Sequence, residues 1–411
     1  MKKLSIITIA SLLTAIPVQA QTFDFDLTKP QPTYNDENGA GYDLLPAPDK
    51  KRPTEPFYFS VRVPDGNYKV RVVLGSKKKA GETTVRAEGR RLMAHNVATK
   101  KGQTITCEFL VNKRSPQIDE KTRVRIKDRE KRYLAWDDRL TLEFNGDLPQ
   151  VQSIHIERDD QAPTVYLCGN STVVDQNDEP WASWGQMITR WFGPEVAISN
   201  HAESGLTART FLGSGRLDKI LTTLKKGDIV IAEFGHNDEK EKRPGDGAWY
   251  HYVYNLKIFV DQVRAKGADI VFCTPTQRRA FDKDGMIQNT HGEFPAAMKS
   301  VAEREKVPVI DLNAMTKTLF ESLGVEDSKR ALVHYPKELY GRELADNTHF
   351  NPYGAYEVAK CVVMGMKQLQ LPIVKFLRPD WQDFNPAQPD DWRTFKWAPS
   401  RMQDIVKPDG N

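Results

Sequence analysis

The chain has 411 residues, with 59 lysines and arginines against 55 acidic residues, a formal net charge of +4 and 39% hydrophobic residues. This length exceeds that of one ordinary domain, so we expect two. Basic and acidic residues are mixed along the chain, which argues against a nucleic-acid binder, because such a protein concentrates its charge on one face.

The first twenty residues have the pattern of a secretory signal peptide. Lys2 and Lys3 precede an apolar run from Leu4 to Ile16, and Val18-Gln-Ala20 supplies a small-x-small cleavage pattern. The run is too short for a membrane anchor, and no later segment is apolar enough to span a bilayer. We therefore expect an exported protein, periplasmic or extracellular, that does not insert into the membrane.

Residues 21–160 form the first predicted domain, which is built from short strands. Apolar runs or alternating patterns predict strands at Phe57–Val63, Tyr68–Leu74, Thr104–Leu110, Leu140–Phe144 and Val151–Ile156. Turn sequences such as Pro64-Asp-Gly-Asn67 separate the strands, and no long segment has a helical period. We expect an antiparallel β-sandwich or jelly roll.

Residues 161–377 form a second predicted domain, in which apolar strands alternate with helices. The strands are predicted at Thr164–Cys168, Glu195–Ser199, Asp228–Phe234, Ala268–Thr274 and Val307–Leu312. The helices are predicted at Trp181–Trp191, Leu217–Lys225, Tyr250–Lys266, Glu293–Lys306 and Tyr353–Leu369. This alternation is typical of an α/β fold with a parallel sheet covered on both faces. The tail, residues 378–411, is rich in tryptophan and proline, and we expect it to pack on this domain.

Polar residues follow the predicted parallel strands. Ser171 comes three residues after Cys168, and Asn237 comes three residues after Phe234. Gly205 lies just past the second of these strands. Because ligands bind at the carboxyl ends of parallel strands, we expect these residues to border one crevice.

Further along the chain, Asp346 stands three residues before His349. A histidine that takes a proton from a serine needs a carboxylate on its other ring nitrogen. These residue types suit acyl transfer, with Ser171 as nucleophile, His349 as base and Asp346 as its partner. The backbone N–H groups of Ser171 and Gly205 and the Asn237 amide would form the oxyanion hole.

Each of these residues has an ordinary structural role when it is considered alone. A serine after a strand is commonly a turn residue, and Asn237 or Asp346 could cap a helix. Their joint occurrence in this order favours catalysis. The sequence has no His-Glu-x-x-His or paired Cys-x-x-Cys motif, so no metal or cofactor is indicated.

Four short motifs carry a resemblance to a known family. They are Gly-Asn-Ser171-Thr, Gly205-x-x-Ala-Arg209, Gly-His-Asn237-Asp and Asp346-x-Thr-His349. In this order they resemble the SGNH (GDSL-like) hydrolases, and more narrowly the rhamnogalacturonan acetylesterase branch. The resemblance covers about Pro163 to Leu371 and implies a flavodoxin-like three-layer α/β/α fold, no cofactor and cleavage of small acyl esters from carbohydrate. One departure is Asn170, where the family usually has aspartate.

The first domain resembles the galactose-binding-like sandwiches that accompany many glycan-active enzymes. The leading hypothesis is thus a secreted serine esterase that removes O-acetyl groups from an acidic polysaccharide, most narrowly rhamnogalacturonan in pectin. Candidate substrate contacts are His236, Trp181, Arg209 and Trp249, since aromatic faces suit sugars and cations suit uronic acids. An esterase on another glycan such as xylan, or a non-catalytic carbohydrate-binding protein, remains open. No oligomeric state is indicated.

Overall fold

The computed structural model describes residues 22–48, 55–401 and 407–409. The predicted signal peptide, residues 1–20, lies outside the described residues. Within the described ranges, no helix is both long and apolar enough to cross a membrane.

Two antiparallel sheets occupy the first part of the chain. Their strands are β1 (Thr22–Asp26), β2 (Ala40–Asp43), β3 (Phe57–Arg62), β4 (Gly66–Gly75), β5 (Gly81–Ala87), β6 (Arg91–Thr99), β7 (Thr104–Lys113), β8 (Arg139–Asn145) and β9 (Val151–Arg158). One sheet has the order β1-β9-β4-β7 and the other has the order β2-β3-β8-β5-β6. Alternate residues such as Val72, Ile154 and Leu142 meet in one buried core between the sheets, as expected for a β-sandwich.

Four of these strands, β1, β2, β5 and β6, were not predicted from the sequence. In β5 and β6 the expected polar–apolar alternation is weak, because both faces of these strands are covered. Arg86 in β5 and Arg91 in β6 are both fully buried. Thr189, from the second half of the chain, donates a hydrogen bond to the backbone oxygen of Leu92 in β6 (2.7 Å). Contact with the second half of the chain therefore explains the missing pattern.

The second half contains a five-stranded parallel sheet with the order β11-β10-β12-β13-β14. Its strands are β10 (Thr164–Cys168), β11 (Ala197–Asn200), β12 (Ile229–Glu233), β13 (Asp269–Cys273) and β14 (Val309–Ile310). A separate antiparallel hairpin joins β15 (Leu332–Tyr335) to β16 (Leu344–Phe350). The predicted parallel sheet is confirmed, and the hairpin was not predicted.

Helices cover both faces of the parallel sheet. They are α1 (Trp184–Met187), α2 (Ala208–Gly213), α3 (Arg216–Leu221), α4 (Val253–Ala265), α5 (Phe294–Glu305), α6 (Leu312–Asp327), α7 (Lys337–Tyr340) and α8 (Pro352–Gln368). Within β12, Val230 packs with α2 to α5 on one face, whereas Ile231 packs with α1, α6 and α8 on the other. Because successive strand residues point to opposite faces, two buried cores form and the domain has three layers.

Two predicted elements were wrong in extent. The segment Trp181–Trp191 is a single helical turn, α1, followed by a 3-10 turn at Ile188–Trp191. The strand predicted at Val307–Leu312 has only two residues, because Asp311 accepts a hydrogen bond from the backbone N–H of Ala314 and caps α6. Helix α6 itself was not predicted.

Residues 378–401 contain no helix or strand and run along both halves of the molecule. The Trp381 ring packs edge-on against Trp191, with 5.0 Å between ring centroids. Trp397 lies 4.1 Å from the Arg86 guanidinium of the sandwich and donates to Glu179 Oε1 at 3.0 Å. The exact domain boundaries at residues 160 and 377 stay a prediction.

Candidate active site

Ser171, His349 and Asp346 form a continuous hydrogen-bonded array. Ser171 Oγ lies 2.8 Å from His349 Nε2, and His349 Nδ1 lies 2.8 Å from Asp346 Oδ2. The side chains come from places far apart in the chain, since Ser171 follows β10 whereas Asp346 and His349 lie on β16. Strand β16 leads into α8, whose cap Asn351 accepts a hydrogen bond from the N–H of Gly354 (3.0 Å).

Asp346 is held as a carboxylate. Burial opposes its charge, but hydrogen bonds from the His349 ring and from the backbone N–H groups of His349 (3.0 Å) and Thr348 (2.9 Å) outweigh it. Together they lower the pKa of Asp346 well below its usual range. A permanent negative charge at this point orients His349 and stabilises its protonated form.

The turn that carries Ser171 is buried and tightly bonded. The backbone oxygen of Ser171 accepts from Ser183 Oγ (2.6 Å) and from Gln176 Nε2 (2.8 Å). Asn170 Oδ1 accepts from the backbone N–H and the hydroxyl of Thr172, at 3.1 and 3.0 Å. Asparagine thus supplies an acceptor at the position where the family usually has aspartate.

The loops that contain Gly205 and Asn237 stand on either side of the Ser171 turn. Strand β10 is paired with β11 on one side and with β12 on the other, and these two strands lead to Gly205 and Asn237. Gly205 has φ of +77°, a conformation that glycine adopts without strain. Asn237 is 5% exposed, and its Nδ2 donates to the backbone oxygen of Leu206 at 3.1 Å.

Asp238 joins these two loops, a role that the sequence did not reveal. Its carboxylate accepts from the backbone N–H of Ala208 (2.8 Å) and from that of Gly235 (2.9 Å). Burial raises the pKa of Asp238 to about 7, although both hydrogen bonds oppose the shift.

Two of the predicted substrate contacts are buried. His236 is 1% exposed and packs edge-on against His291, with 4.6 Å between ring centroids, and burial lowers its pKa well below the usual value. Trp181 is also 1% exposed and packs against Val333 and Leu344. Neither ring has a free face, so neither residue can stack against a sugar in this structure.

The other two predicted contacts lie at the surface. Arg209 Nε donates to Glu241 Oε1 (3.1 Å) and its Nη1 donates to Asp246 Oδ1 (2.9 Å), so its charge is already matched by two carboxylates. Trp249 is 46% exposed and precedes α4. Of the four candidates, Trp249 alone offers an exposed aromatic face.

Two cations of the segment between β7 and β8 lie beside Gly205. We call Lys127 and Arg129 the cationic rim. Lys127 Nζ donates to the backbone oxygen of Ser204 (2.6 Å), and Arg129 Nε donates to Glu203 Oε1 (3.0 Å). Both also contact the carboxylate of Asp409, at 2.8 and 3.1 Å. These contacts depend on the packing of the sandwich and the tail against the catalytic half.

Among residues 22–48, 55–401 and 407–409, no group of three or more histidine, cysteine, aspartate or glutamate residues is placed to hold a metal ion. The array of Ser171, His349 and Asp346 has the composition and order that nucleophilic acyl transfer requires.

Comparison with known proteins identifies the family. A model of the GDSL-like lipase/acylhydrolase family matches residues 167–356. The rhamnogalacturonan acetylesterase RhgT of Bacillus subtilis (strain 168) is 44% identical over 214 residues, which make up 51% of this chain and 91% of RhgT. The probable rhamnogalacturonan acetylesterase YesY of the same strain is 31% identical over 214 residues, 51% of this chain and 95% of YesY.

The similarity to a third relative covers more of the chain. The uncharacterized esterase YxiM of Bacillus subtilis (strain 168) is 27% identical over 319 residues, 75% of this chain and 74% of YxiM. The 44% identity to RhgT over 91% of its length, together with the matching family model, shows that the chain belongs to the GDSL-like lipase/acylhydrolase family and is a serine esterase.

Proposed function

We propose that this esterase removes O-acetyl groups from rhamnogalacturonan, with Ser171, His349 and Asp346 as its catalytic residues. The observation that carries the proposal is the unbroken array of these three side chains, with 2.8 Å at each contact, in a chain that is 44% identical to a rhamnogalacturonan acetylesterase. A nucleophile, a base and the partner of that base are thus all in hydrogen-bonding contact.

In the first half of the reaction Ser171 Oγ attacks the acetyl carbonyl carbon while His349 Nε2 takes its proton. The tetrahedral intermediate collapses as His349 returns that proton to the departing sugar oxygen, which leaves an acetyl group on Ser171. Asp346 stabilises the imidazolium that exists between these two proton transfers. In the second half water replaces the sugar hydroxyl, and acetate leaves.

The oxyanion of both intermediates would be bound by the backbone N–H groups of Ser171 and Gly205 and by Asn237 Nδ2. An amide nitrogen has two hydrogens, and one of those on Asn237 is used by the backbone oxygen of Leu206. That bond orients the amide and leaves its second hydrogen for the oxyanion. Donors fixed in this way need no reorganisation during the reaction.

The cationic rim supports an acidic polymer as the substrate. Lys127 and Arg129 already hold one carboxylate, that of Asp409, directly beside Gly205. A galacturonate residue next to the acetylated sugar carries the same functional group. We infer that the rim binds such a carboxylate and that Asp409 occupies its place when no substrate is present.

Export belongs to the same proposal, because a polymer of plant cell walls meets the enzyme outside the cytoplasm. It is supported by the charged and apolar pattern of residues 1–20. We also propose that the chain divides into a β-sandwich domain, residues 21–160, and a catalytic domain, residues 161–377, with the tail as a brace.

The test is acetate release from acetylated rhamnogalacturonan and, in parallel, from acetylated xylan. We expect release from rhamnogalacturonan that Ser171→Ala abolishes, with the variant retaining the circular dichroism spectrum of the parent. Release from xylan alone would refute the substrate assignment and keep the mechanism. Turnover that survives in Ser171→Ala would refute the mechanism.

A further inference from the structure

A cavity of about 300 Å³ lies between the β-sandwich and the parallel sheet. Asn67 and Asn112 line it from the sandwich, and Thr164, Tyr166 and His201 line it from the other side. Thr164 begins β10, whereas Ser171 follows the opposite end of that strand. The cavity is therefore separate from the catalytic array.

The cavity has an excess of positive charge. Five cations and two carboxylates line it: Lys113, Arg114, Arg158, Lys219 and Lys225, with Asp65 and Asp160. Lys113 and Lys219 share the single carboxylate of Asp65, at 3.1 and 2.8 Å. Arg158 is matched by Asp160 (2.6 Å), and Lys225 lies 3.6 Å from Asp228, which is outside the lining of the cavity. Because two lysines share one carboxylate, the lining of the cavity keeps a net positive charge.

Arg114 is the clearest sign of a missing partner. Arg114 is 4% exposed, and its Nε and Nη1 have no hydrogen-bond partner among the described residues. The guanidinium lies 4.3 Å from the ring centroid of Trp136, which supplies a face but no charge. A buried cation without a partner is unfavourable by several kcal/mol. A bound anion would relieve that cost.

Two further observations agree with this reading of Arg114. Burial and then the neighbouring Arg91 lower its pKa to about 9, although the charges of Asp175 and Glu88 oppose the shift. The group therefore stays charged near neutral pH in a site that disfavours charge. On the other side of the same cavity, His201 Nδ1 is buried and has no hydrogen-bond partner among the described residues. Its Nε2 lies 3.0 Å from Ser199 Oγ. A guanidinium and an imidazole nitrogen thus remain unpaired at one cavity.

Neutral polar groups surround these cations. Asn112 Nδ2 donates to Asn67 Oδ1 (2.8 Å), Ser199 Oγ donates to Asn112 Oδ1 (2.6 Å), and Tyr166 OH lies 3.0 Å from Thr223 Oγ1. Side chains of this kind can form hydrogen bonds with the hydroxyl groups of a sugar. The volume is at the lower end of the range for small-molecule sites. It therefore has room for more than a bare inorganic ion.

We propose that this cavity is a second binding site, which takes a small anion through Arg114, and that the anion is the carboxylate of a uronic acid. In a polymer that contains uronic acids, the site would hold a chain end or a short oligosaccharide while another stretch occupies the catalytic site. The cavity by itself carries the binding of a small anion, whereas the choice of a uronic acid rests on the proposed function.

The test is calorimetric titration of the full-length protein with D-galacturonate, inorganic phosphate and D-galactose, each followed by a thermal unfolding scan. We expect galacturonate to bind and to raise Tm, phosphate to bind at least tenfold more weakly, and galactose to have no effect. Binding of phosphate alone would overturn the uronate assignment. Absence of binding by both anions would overturn the site.

Variants locate the binding. Arg114→Met should lose the effect of galacturonate and be at least as stable as the parent without ligand, because it removes an unpaired charge. The exposed Arg123→Met changes the net charge equally and should bind like the parent. Binding that persists in Arg114→Met would place galacturonate elsewhere and refute the proposal. If Arg114→Met does not fold, Arg114→Lys is the alternative variant, because it keeps the charge but loses the several N–H donors of the guanidinium. It should weaken the binding of galacturonate at least fivefold, and unchanged binding would refute the proposal.

Discussion

Glu233 lies beneath the nucleophile turn and joins it to the sheet. Its Oε1 is 2.6 Å from Thr172 Oγ1, its Oε2 accepts from Trp184 Nε1 at 2.5 Å, and the residue is completely buried. The Thr172 hydroxyl also faces Asn170 Oδ1, yet it has a single proton to give. When Glu233 is ionised, it accepts this proton from Thr172. When Glu233 is protonated, it donates to Thr172, which then donates to Asn170. Asn170, which has no charge, is compatible with this uncharged series of hydrogen bonds.

The pKa of Glu233 makes the chain testable by pH. Burial raises the pKa from 4.5 to about 7, against the opposing hydrogen bonds from Thr172 and Trp184. Its contribution to stability is therefore complete below pH 4.5 and is lost as the pH rises through 7. The loss should be about 3 kcal/mol, at 1.36 kcal/mol for each unit of pKa shift.

Glu233→Gln should remove this dependence, because its amide can donate to Thr172 and accept from Trp184 without titrating. We expect the difference in unfolding free energy between the parent and Glu233→Gln to change by about 3 kcal/mol from pH 4.5 to 8 in urea titrations. A difference that stays constant over this range would show that Glu233 is ionised throughout.

Asn237 makes a contribution that is confined to the transition state. Asn237→Ala should lower kcat about a hundredfold with a smaller effect on KM, since the amide acts on the oxyanion and only weakly on the ground-state carbonyl. Steady-state kinetics on p-nitrophenyl acetate measure both constants. An unchanged kcat would remove Asn237 from the oxyanion hole.

At the scale of elements, the Gly205 loop, the segment between β7 and β8 and the end of the tail meet at one place. The cationic rim of Lys127 and Arg129 holds Asp409 there. Asp409→Asn should lower KM for the acetylated acidic polymer, and Lys127→Gln should raise it, each about two- to fivefold, as for a surface charge pair. The reason is that a substrate carboxylate competes with Asp409 for the same two cations.

The same two variants should behave like the parent toward p-nitrophenyl acetate, which has no carboxylate. Lys121→Gln, an exposed change in the same segment, serves as the charge-matched control. Raising the ionic strength should reduce both shifts in KM, because the rim is partly exposed. Equal shifts on the neutral ester would argue that the rim acts on the loop and has no part in binding the polymer.

The elements also show why some of the site could be predicted and some could not. Ser171 and Asn237 follow apolar strands by three residues, and parallel strands bring their carboxyl ends together, so local pattern was enough. His349 was predicted from its spacing to Asp346, but the hairpin that carries it was not, because β15 has only four residues and no periodic signal marks so short a hairpin. The contact of Lys127 with the Gly205 loop depends on packing between distant segments, which alternation and period do not encode.

At the scale of the whole molecule, Glu179 connects three parts of the chain. It pairs with Arg90 of the β-sandwich at 2.5 Å and accepts from Trp397 Nε1 (3.0 Å) and from the backbone N–H of Ser400 (3.1 Å) in the tail. Arg90 in turn donates to the backbone oxygens of Gln176 and Trp181, at 2.9 and 3.0 Å. The sandwich, the segment before α1 and the tail thus share one buried network.

This network predicts that the two halves unfold together. Glu179→Ala leaves Arg90 buried without its carboxylate and should lower the free energy of unfolding by about 3–5 kcal/mol, the usual effect of breaking a buried pair. Glu326→Ala removes a carboxylate that pairs with Lys329 at the surface and should leave that free energy nearly unchanged. Urea unfolding followed by far- and near-ultraviolet circular dichroism should show one transition that moves as a whole in Glu179→Ala. If two transitions appear and Glu179→Ala shifts the midpoint of only one, then the sandwich unfolds independently and the tail does not stabilise it.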